Sequence, residues 1–106
     1  MGRRKYYTGK SAIHGTGVFA ARAIARGELI GVFEGVPTET DGEHVLWVER
    51  ADGEYAGLRG SNGLRFVNHS SRPNAEFDGE RLYARRGLRR HEEITFHYGP
   101  DWDDVS

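Results

Sequence analysis

Glycine divides this chain into short segments. Fifteen glycines occur among 106 residues, and the stretches between them are rich in Val, Ile, Phe, Tyr and Leu. No apolar pattern of helical period continues over three turns, whereas short apolar runs bounded by Gly, Asn and Asp are typical of strands. Because 106 residues provide one modest core, the sequence predicts a single mostly β domain that spans residues 1–106.

The predicted strands are short and joined by turns. They cover Gly17 to Arg22, Leu29 to Glu34, Val45 to Arg50, Glu54 to Leu58, Ala75 to Phe77, Arg81 to Arg86 and Ile94 to Tyr98. Two connections are predicted to be tight hairpins, because the dipeptides Asp52-Gly53 and Asp78-Gly79 accept the positive φ angles of a two-residue turn. The one helical turn that we expect lies over Leu64 to Ser70.

Composition excludes several functional classes. Fifteen Lys and Arg oppose sixteen Asp and Glu, so the formal charge of −1 creates no field that would gather nucleic acid or anionic lipid. The absence of cysteine excludes disulfides and thiolate zinc sites and fits a reducing compartment. No apolar run is long enough for a membrane span. We therefore expect a soluble, cytoplasmic protein without membrane or direct nucleic-acid contacts.

The stretch RFVNHSSRPNA, residues 65–75, is unusually polar for a segment that follows an apolar pair. It places five hydrogen-bonding side chains within seven residues, namely Asn68, His69, Ser70, Ser71 and Asn74. A loop without a function would not need so many. The adjacent His and Ser do not by themselves predict a hydrolytic triad, because adjacent residues point apart and an orienting acid must also converge on them.

Two other segments carry further candidates. HGTGVFAARAIARGELIGVFEG, residues 14–35, has Gly15 and Gly17 on either side of Thr16, a spacing that lets backbone approach a ligand closely. EEITFHYGPDW, residues 92–102, ends a predicted strand with aromatic side chains. The five histidines show no metal-ligand spacing, so no metal site is predicted.

Taken together and in this order, the three segments resemble the SET domain, the fold of protein lysine methyltransferases that use S-adenosylmethionine. Residues 14–35 resemble the GxG segment and the following "I..GE.I..+.G" strand, SNGLRFVNHSSRPNA resembles "GN..RF.NHSC.PNA", and EEITFHYG resembles "GEELT.DYG". The resemblance implies a β-clip fold of short strands in small sheets, with a knot-like C-terminal segment.

The resemblance also implies a set of cofactor contacts. Asn68 would hold the methionine part of S-adenosylmethionine, and His69 would contact its adenine mainly through the backbone. The loop of His14, Gly15, Thr16 and Gly17 would supply further backbone contacts, and Trp102 would close the site as an aromatic lid. A zwitterionic amino-acid tail needs both donors and acceptors, which this set offers. Asn74 is expected to fix its own loop by bonding local backbone.

The family's catalytic tyrosine falls on Tyr98. Methyl transfer from a sulfonium is an in-line displacement, so the enzyme mainly aligns a neutral amine, and Tyr98 would orient that amine. The resemblance places His44 at a second channel tyrosine, with Tyr55 as a possible substitute, and places Phe96 in the same channel. Phenylalanine at that position favours di- or trimethyllysine, because no hydroxyl holds a water against the amine.

Departures from the family pattern keep alternatives open. Ser71 and His97 stand where many members carry Cys and Asp, and the cysteine-rich zinc segments are absent. The functions considered are an active methyltransferase acting on a lysine of a histone or another basic protein, a module that binds cofactor or peptide with little or no turnover, and a structural β protein. Retention of Asn68, His69 and Tyr98 favours the first. The likeness to the minimal viral and bacterial SET proteins also predicts a homodimer.

Overall fold

Short strands form three small sheets in this computed structural model, which describes residues 4–42 and 44–98. The strands are β1 Tyr6–Lys10, β2 Thr16–Ala20, β3 Leu29–Val32, β4 Gly35–Thr38, β5 Val45–Glu49, β6 Tyr55–Gly60, β7 Asn68–His69, β8 Ala75–Asp78, β9 Arg81–Ala84 and β10 Glu93–Phe96. A 3₁₀ helix covers Gly63–Phe66. The sheets have the strand orders β1-β2-β10-β7, β3-β9-β8 and β4-β6-β5. The predicted mostly β fold is confirmed.

Three strands were missed by the sequence prediction, and all lie at the edge of a sheet: β1, β4 and the two-residue β7. β1 pairs antiparallel with β2, from Tyr6 opposite Ala20 to Lys10 opposite Thr16. Its residues are half-buried or exposed, so it lacks the apolar alternation that marks a strand. β4 contains Pro37, which a sheet tolerates at an edge because proline cannot donate to the ladder.

The helical turn predicted over Leu64 to Ser70 is correct only in its first half. The 3₁₀ helix ends at Phe66, and Asn68–His69 form a two-residue strand instead. This strand runs parallel to β10, with Thr95 opposite Asn68 and Phe96 opposite His69. A pairing between segments so distant in sequence overrides local propensity.

Both predicted hairpins are present, but neither has the predicted turn. Asp78 pairs with Arg81, so the turn residues are Gly79, with φ 62°, and the residue after it. In the other hairpin the Arg50 N–H donates to the Glu54 carbonyl at 2.7 Å, which leaves a three-residue turn over 51–53. Gly53 takes φ 85° there, as glycine does without steric cost.

β10 is the strand that positions the site. Ile94 and its partner Val18 on β2 are fully buried in the core. The other core residues are Ala20, Ile24, Ile30, Phe33, Leu64, Val67, Ala75, Leu82, Ala84 and Leu88. Because β10 lies between β2 and β7, it brings the segment that begins at His14 and the segment that begins at Asn68 to its two sides.

Candidate active site

The side chain of Asn68 joins the two segments that the sequence predicts to bind the cofactor. Its Nδ2 lies 3.0 Å from the His14 carbonyl oxygen and 3.3 Å from that of Thr16. The same nitrogen lies 3.1 Å from Ser11 Oγ and 3.1 Å from Glu93 Oε2. Asn68 is buried, and its two amide hydrogens are shared among these acceptors. Its amide nitrogen therefore holds the 14–16 loop in place.

Glu93 is a site residue that the sequence analysis missed. Its carboxylate accepts a hydrogen bond from the Ser11 hydroxyl, with 2.9 and 2.8 Å to the two oxygens. The Ser11 oxygen in turn accepts the main-chain N–H groups of Ile13 at 2.9 Å and His14 at 3.2 Å. Glu93 thus anchors the start of the same loop. Its place in the EEITFHYG segment is the one sequence signal that could have identified it.

Gly17 leaves room for this carboxylate. A Cβ at Gly17 would lie 2.5 Å from Glu93 Oε2 and 2.9 Å from Ser11 Cβ. Both distances are too short for any side chain unless a neighbour moves. The lack of a side chain at Gly17 thus admits a protein group on this side, and the main-chain contact of Gly17 with the cofactor stays a prediction.

The segment that contains β7 binds Tyr98 at both its main chain and its side-chain hydroxyl. Its backbone N–H donates to His69 Nδ1 at 3.0 Å, and its hydroxyl donates to the Val67 carbonyl at 3.0 Å. The rings of His69 and Tyr98 meet edge-on, with centroids 5.2 Å apart. Burial raises the pKa of the Tyr98 hydroxyl, against a smaller opposing effect of the His69 backbone. The hydroxyl is therefore protonated at neutral pH and is a poor base.

A row of aromatic rings leads from the core to Tyr98. The ring centroids are 6.1 Å apart for Phe33 and Phe77, 4.9 Å for Phe77 and Phe96, and 4.9 Å for Phe96 and Tyr98. Phe96 and Tyr98 are therefore on the same side of the chain, as their spacing along a strand predicts. The row forms an apolar wall beside the Tyr98 hydroxyl.

The two predicted channel residues outside this row differ in position. His44 Nδ1 lies 3.1 Å from the Arg65 carbonyl oxygen, and its ring meets Phe66 edge-on at 5.3 Å. It therefore packs beside the 3₁₀ helix that leads into β7. Tyr55 is 63% exposed at the start of β6, and within residues 4–42 and 44–98 it makes no ring contact with the aromatic row. Trp102 lies outside the described residues.

The family model of the SET domain matches residues 15–99, most of the chain. The chain belongs to the SET domain family. It is similar to histone-lysine N-methyltransferase 2B of Homo sapiens, with 30% identity over 92% of this chain and 4% of that protein. It is also similar to the histone-lysine N-methyltransferase MEDEA of Arabidopsis thaliana, with 29% identity over 97% of this chain and 18% of that protein. The SET domain thus spans less than a fifth of either curated relative.

Structural similarity supports the same fold. A chain of the Chaetomium thermophilum polycomb repressive complex 2 superposes with a TM-score of 0.81 at 19% identity, covering 99% of this chain and 16% of that chain. At this level of identity the match shows the fold alone. The described SET domain surrounds its site with the strands β2, β7 and β10.

The residues around Asn68 in this SET domain fit S-adenosylmethionine, the cofactor that the family uses. Gly15 has φ 46° and no atom within 4 Å of its Cβ position, so its main chain is open to a ligand. The Glu93 carboxylate and the Ser11 hydroxyl lie beside the same loop. A zwitterionic amino-acid tail requires such a mixture of acceptors and donors.

Asn74 has a structural role, as predicted, but its partners are different. Its Nδ2 donates to the Glu93 carbonyl at 2.7 Å, and its Oδ1 accepts the Thr95 N–H at 2.9 Å. The sequence analysis expected bonds to local backbone. Instead the Asn74 side chain bonds the main chain of β10 at Glu93 and Thr95, next to the pairing between β10 and β7.

His91 stands where the "GEELT.DYG" pattern has glycine. Its φ of 72° is in the left-handed region, which is uncommon for a side chain of this kind. The Tyr7 hydroxyl lies 2.8 Å from His91 Nδ1, and the His91 N–H donates to the Ala20 carbonyl at 2.7 Å. These contacts hold the turn that starts β10 without the glycine.

Within residues 4–42 and 44–98, no group of three or more His, Asp or Glu is arranged to hold a metal ion. In the same part of the chain, no helix is long and apolar enough to cross a membrane. Surface grooves of about 520 and 580 Å³ are lined by Arg86 and its neighbours and by Arg4 and its neighbours, away from Tyr98. Neither groove is lined by Asn68, His69 or Tyr98, so the candidate site is identified from its converging side chains.

Proposed function

We propose that this SET domain transfers a methyl group from S-adenosylmethionine to the side-chain amine of a lysine in a protein. The observation that carries the proposal is the convergence of three segments on β10: the loop at Gly15, the pair Asn68 and His69, and the anchored Tyr98. The names of the curated relatives support a histone or another basic protein as the substrate.

The residues that would hold the cofactor are those that converge around Asn68. Asn68, Ser11 and Glu93 would surround the amino-acid tail, and the main chain at Gly15 and His69 would contact the remainder. When bound, S-adenosylmethionine supplies an electrophilic methyl group on a sulfonium. This positive charge and the apolar wall both lower the pKa of an approaching lysine ammonium, which favours the neutral amine that can react.

Tyr98 would orient that amine. Its hydroxyl donates to the Val67 carbonyl, and its oxygen would accept an N–H of the substrate amine. The raised pKa of this hydroxyl means that it does not take the proton away. The ammonium must therefore lose its proton to solvent before transfer, and Tyr98 contributes alignment, which can change a rate by about a hundredfold.

The test is incubation of the full chain with isotope-labelled S-adenosylmethionine, core histones and a mixed protein extract, followed by mass spectrometry of labelled lysines. We expect methyllysine with the wild type and a loss of about a hundredfold with Tyr98→Phe, because alignment effects have this size. Tyr83→Phe, at a half-buried tyrosine on β9, is the matched control. If calorimetry shows binding of S-adenosylmethionine but no methyl group is transferred to any protein, the chain is a module that binds the cofactor without turnover.

A homodimer and a cytoplasmic location are parts of this proposal that rest on the sequence. A chain of this size has a limited core, so association would add buried surface. Sedimentation velocity at micromolar concentration measures the assembly state. A single monomeric species over that range would contradict the dimer.

A further inference from the structure

The parallel pairing of β7 with β10 ends in an unusual way. Phe96 lies opposite His69, and the Ser70 N–H donates to the Phe96 carbonyl at 3.2 Å. The next main-chain donor on that side of the segment belongs to Tyr98. It donates to the imidazole Nδ1 of His69 at 3.0 Å rather than to a carbonyl. The His69 side chain thus replaces the backbone carbonyl that would accept the next hydrogen bond of a parallel ladder.

The identity of this donor fixes the chemical form of the ring. A backbone N–H can only donate, so Nδ1 of His69 must be unprotonated and the ring proton must be on Nε2. A protonated imidazole has N–H groups at both positions and has no acceptor to offer. The bond to Tyr98 therefore exists only when His69 is neutral.

Tyr98 depends on this bond because it lies beyond the last residue of β10 and is 38% exposed. The His69 imidazole and the Val67 carbonyl are anchors of Tyr98 that come from the same segment, two residues apart. His69 itself is 5% exposed, so its ring is fixed by packing. Loss of the imidazole anchor would let the Tyr98 main chain shift, and with it the hydroxyl that orients the amine.

We propose that the His69 side chain is a positioning residue for Tyr98, and that its neutral form is required for methyl transfer. The proposal rests on the proposed function, in which Tyr98 orients the lysine. It adds a role for the imidazole to the backbone contact that the family resemblance assigns to this residue. Protonation of His69 releases Tyr98 and lowers the rate.

Among the described residues, two titratable side chains on the segment that follows β10 have rings in contact with this imidazole. His97 meets it edge-on with centroids 4.7 Å apart, and the Tyr98 ring packs on it at 5.2 Å. Glu93 is on β10 itself and is bonded to Ser11. Because His97 also binds protons, it must be followed together with His69.

The first experiment needs neither cofactor nor substrate. Nitrogen NMR of the labelled full chain reports the tautomer of each histidine, and hydrogen exchange reports the protection of the Tyr98 amide as pH changes. We expect His69 with its proton on Nε2 and a Tyr98 amide that loses protection as His69 becomes protonated. A proton on Nδ1, or unchanged protection through that titration, would overturn the proposal while leaving the methyltransferase assignment intact.

The second experiment uses substitutions that differ in one property. His69→Asn keeps an acceptor at the position of Nδ1, whereas His69→Gln moves it one bond further and His69→Leu removes it. We expect kcat within about threefold of wild type for the Asn variant and about tenfold lower or more for the other two, the usual effect of one lost hydrogen bond. Circular dichroism confirms that each variant folds.

The pH profile separates positioning from simple structural support. On acidification the wild-type rate falls more steeply than that of His69→Asn, because the amide does not bind a proton. His91→Asn is the matched control, since asparagine tolerates the left-handed backbone at that turn, and it keeps the wild-type profile. Identical profiles for wild type and His69→Asn would overturn the proposal.

Discussion

The carboxylate of Glu93 occupies the space that a side chain at Gly17 would need, with 2.5 Å between Oε2 and the Cβ position. The same oxygen lies 3.1 Å from the Asn68 amide nitrogen, and the carboxylate also accepts the Ser11 hydroxyl. One glycine thus allows a charged group from β10 to reach between β2 and the 14–16 loop. The candidate cofactor loop is shaped by this internal contact.

Gly17→Ala should displace Glu93 and loosen the loop. Because Ser11 Cβ also lies 2.9 Å from the added methyl position, we expect a loss of about 1–3 kcal/mol in the free energy of unfolding, as for overpacked sites. Thermal unfolding measures it, with Gly87→Ala as the control because its nearest atom is 3.9 Å away. Equal stability of the two variants would contradict this account of Gly17.

Asn68→Asp should weaken binding of S-adenosylmethionine. The substitution removes the amide hydrogens and sets a carboxylate beside Glu93, so the loop loses its attachment and two like charges meet. We expect a Kd at least tenfold higher, about 1.4 kcal/mol or more, by calorimetry. Asn68→Ala removes the donor without adding charge and should have the smaller effect. Wild-type affinity in both variants would exclude Asn68 from the site.

Asn74→Ala should destabilise the fold rather than affect binding directly. The side chain satisfies the Glu93 carbonyl and the Thr95 N–H, and Asn74 and Thr95 are both buried. Leaving buried main-chain groups unpaired costs about 1–3 kcal/mol each. Urea unfolding tests this, with Ser71→Ala at an exposed neighbouring site as the control. A midpoint equal to that of the control would argue against the role.

Local pattern was sufficient for much of the fold and for part of the site. The turn residues Gly53 and Gly79 predicted both hairpins, and the polar NHSSRPN run drew attention to Asn68 and His69, which the structure brings beside the 14–16 loop and Tyr98. These features depend on neighbours in sequence. Edge strands such as β4 were missed, because half-exposed segments with proline lack the alternation of apolar and polar residues that predicts a strand.

What could not be predicted depends on contacts between distant segments. In the sequence, nothing distinguishes Glu93 from the many surface carboxylates. Its role becomes visible only in the folded chain, where β10 lies between β2 and β7. The bond from Tyr98 to His69 joins residues 29 positions apart. Tyr55 was chosen by residue type alone, and its place at the start of β6 leaves it exposed, so its role in the channel stays a prediction.

Glu28 gives the stability a defined pH dependence. Its pKa is lowered from 4.5 to about 2, first by the Ala25 N–H and then by Lys5, with Arg22 also in contact. The folded state thus favours the charged carboxylate, and its stabilisation is complete above pH 4.5 and lost as pH falls towards 2. Glu28→Gln should lower Tm at neutral pH, and the difference from wild type should vanish in acid.

The control for Glu28 is Glu76→Gln. Glu76 is an exposed carboxylate on β8 that makes no ion pair within the described part of the chain. Its substitution should leave Tm close to wild type across the same pH range. A Glu28→Gln difference that is as large at pH 2 as at neutral pH would contradict the assignment of the effect to this carboxylate.

Phe96→Tyr should reduce the number of methyl groups added to one lysine. The rings of Phe96 and Tyr98 are 4.9 Å apart on the same side of the chain, so a hydroxyl at position 96 could hold a water against the amine and fill the space of a further methyl group. Wild type should form di- or trimethyllysine and the variant mainly monomethyllysine, with little change in stability. The measurement is mass spectrometry of a single-lysine peptide at long reaction times, with Phe19→Tyr, on β2, as the control. If the wild type stops at one methyl group, Phe96 does not set the limit.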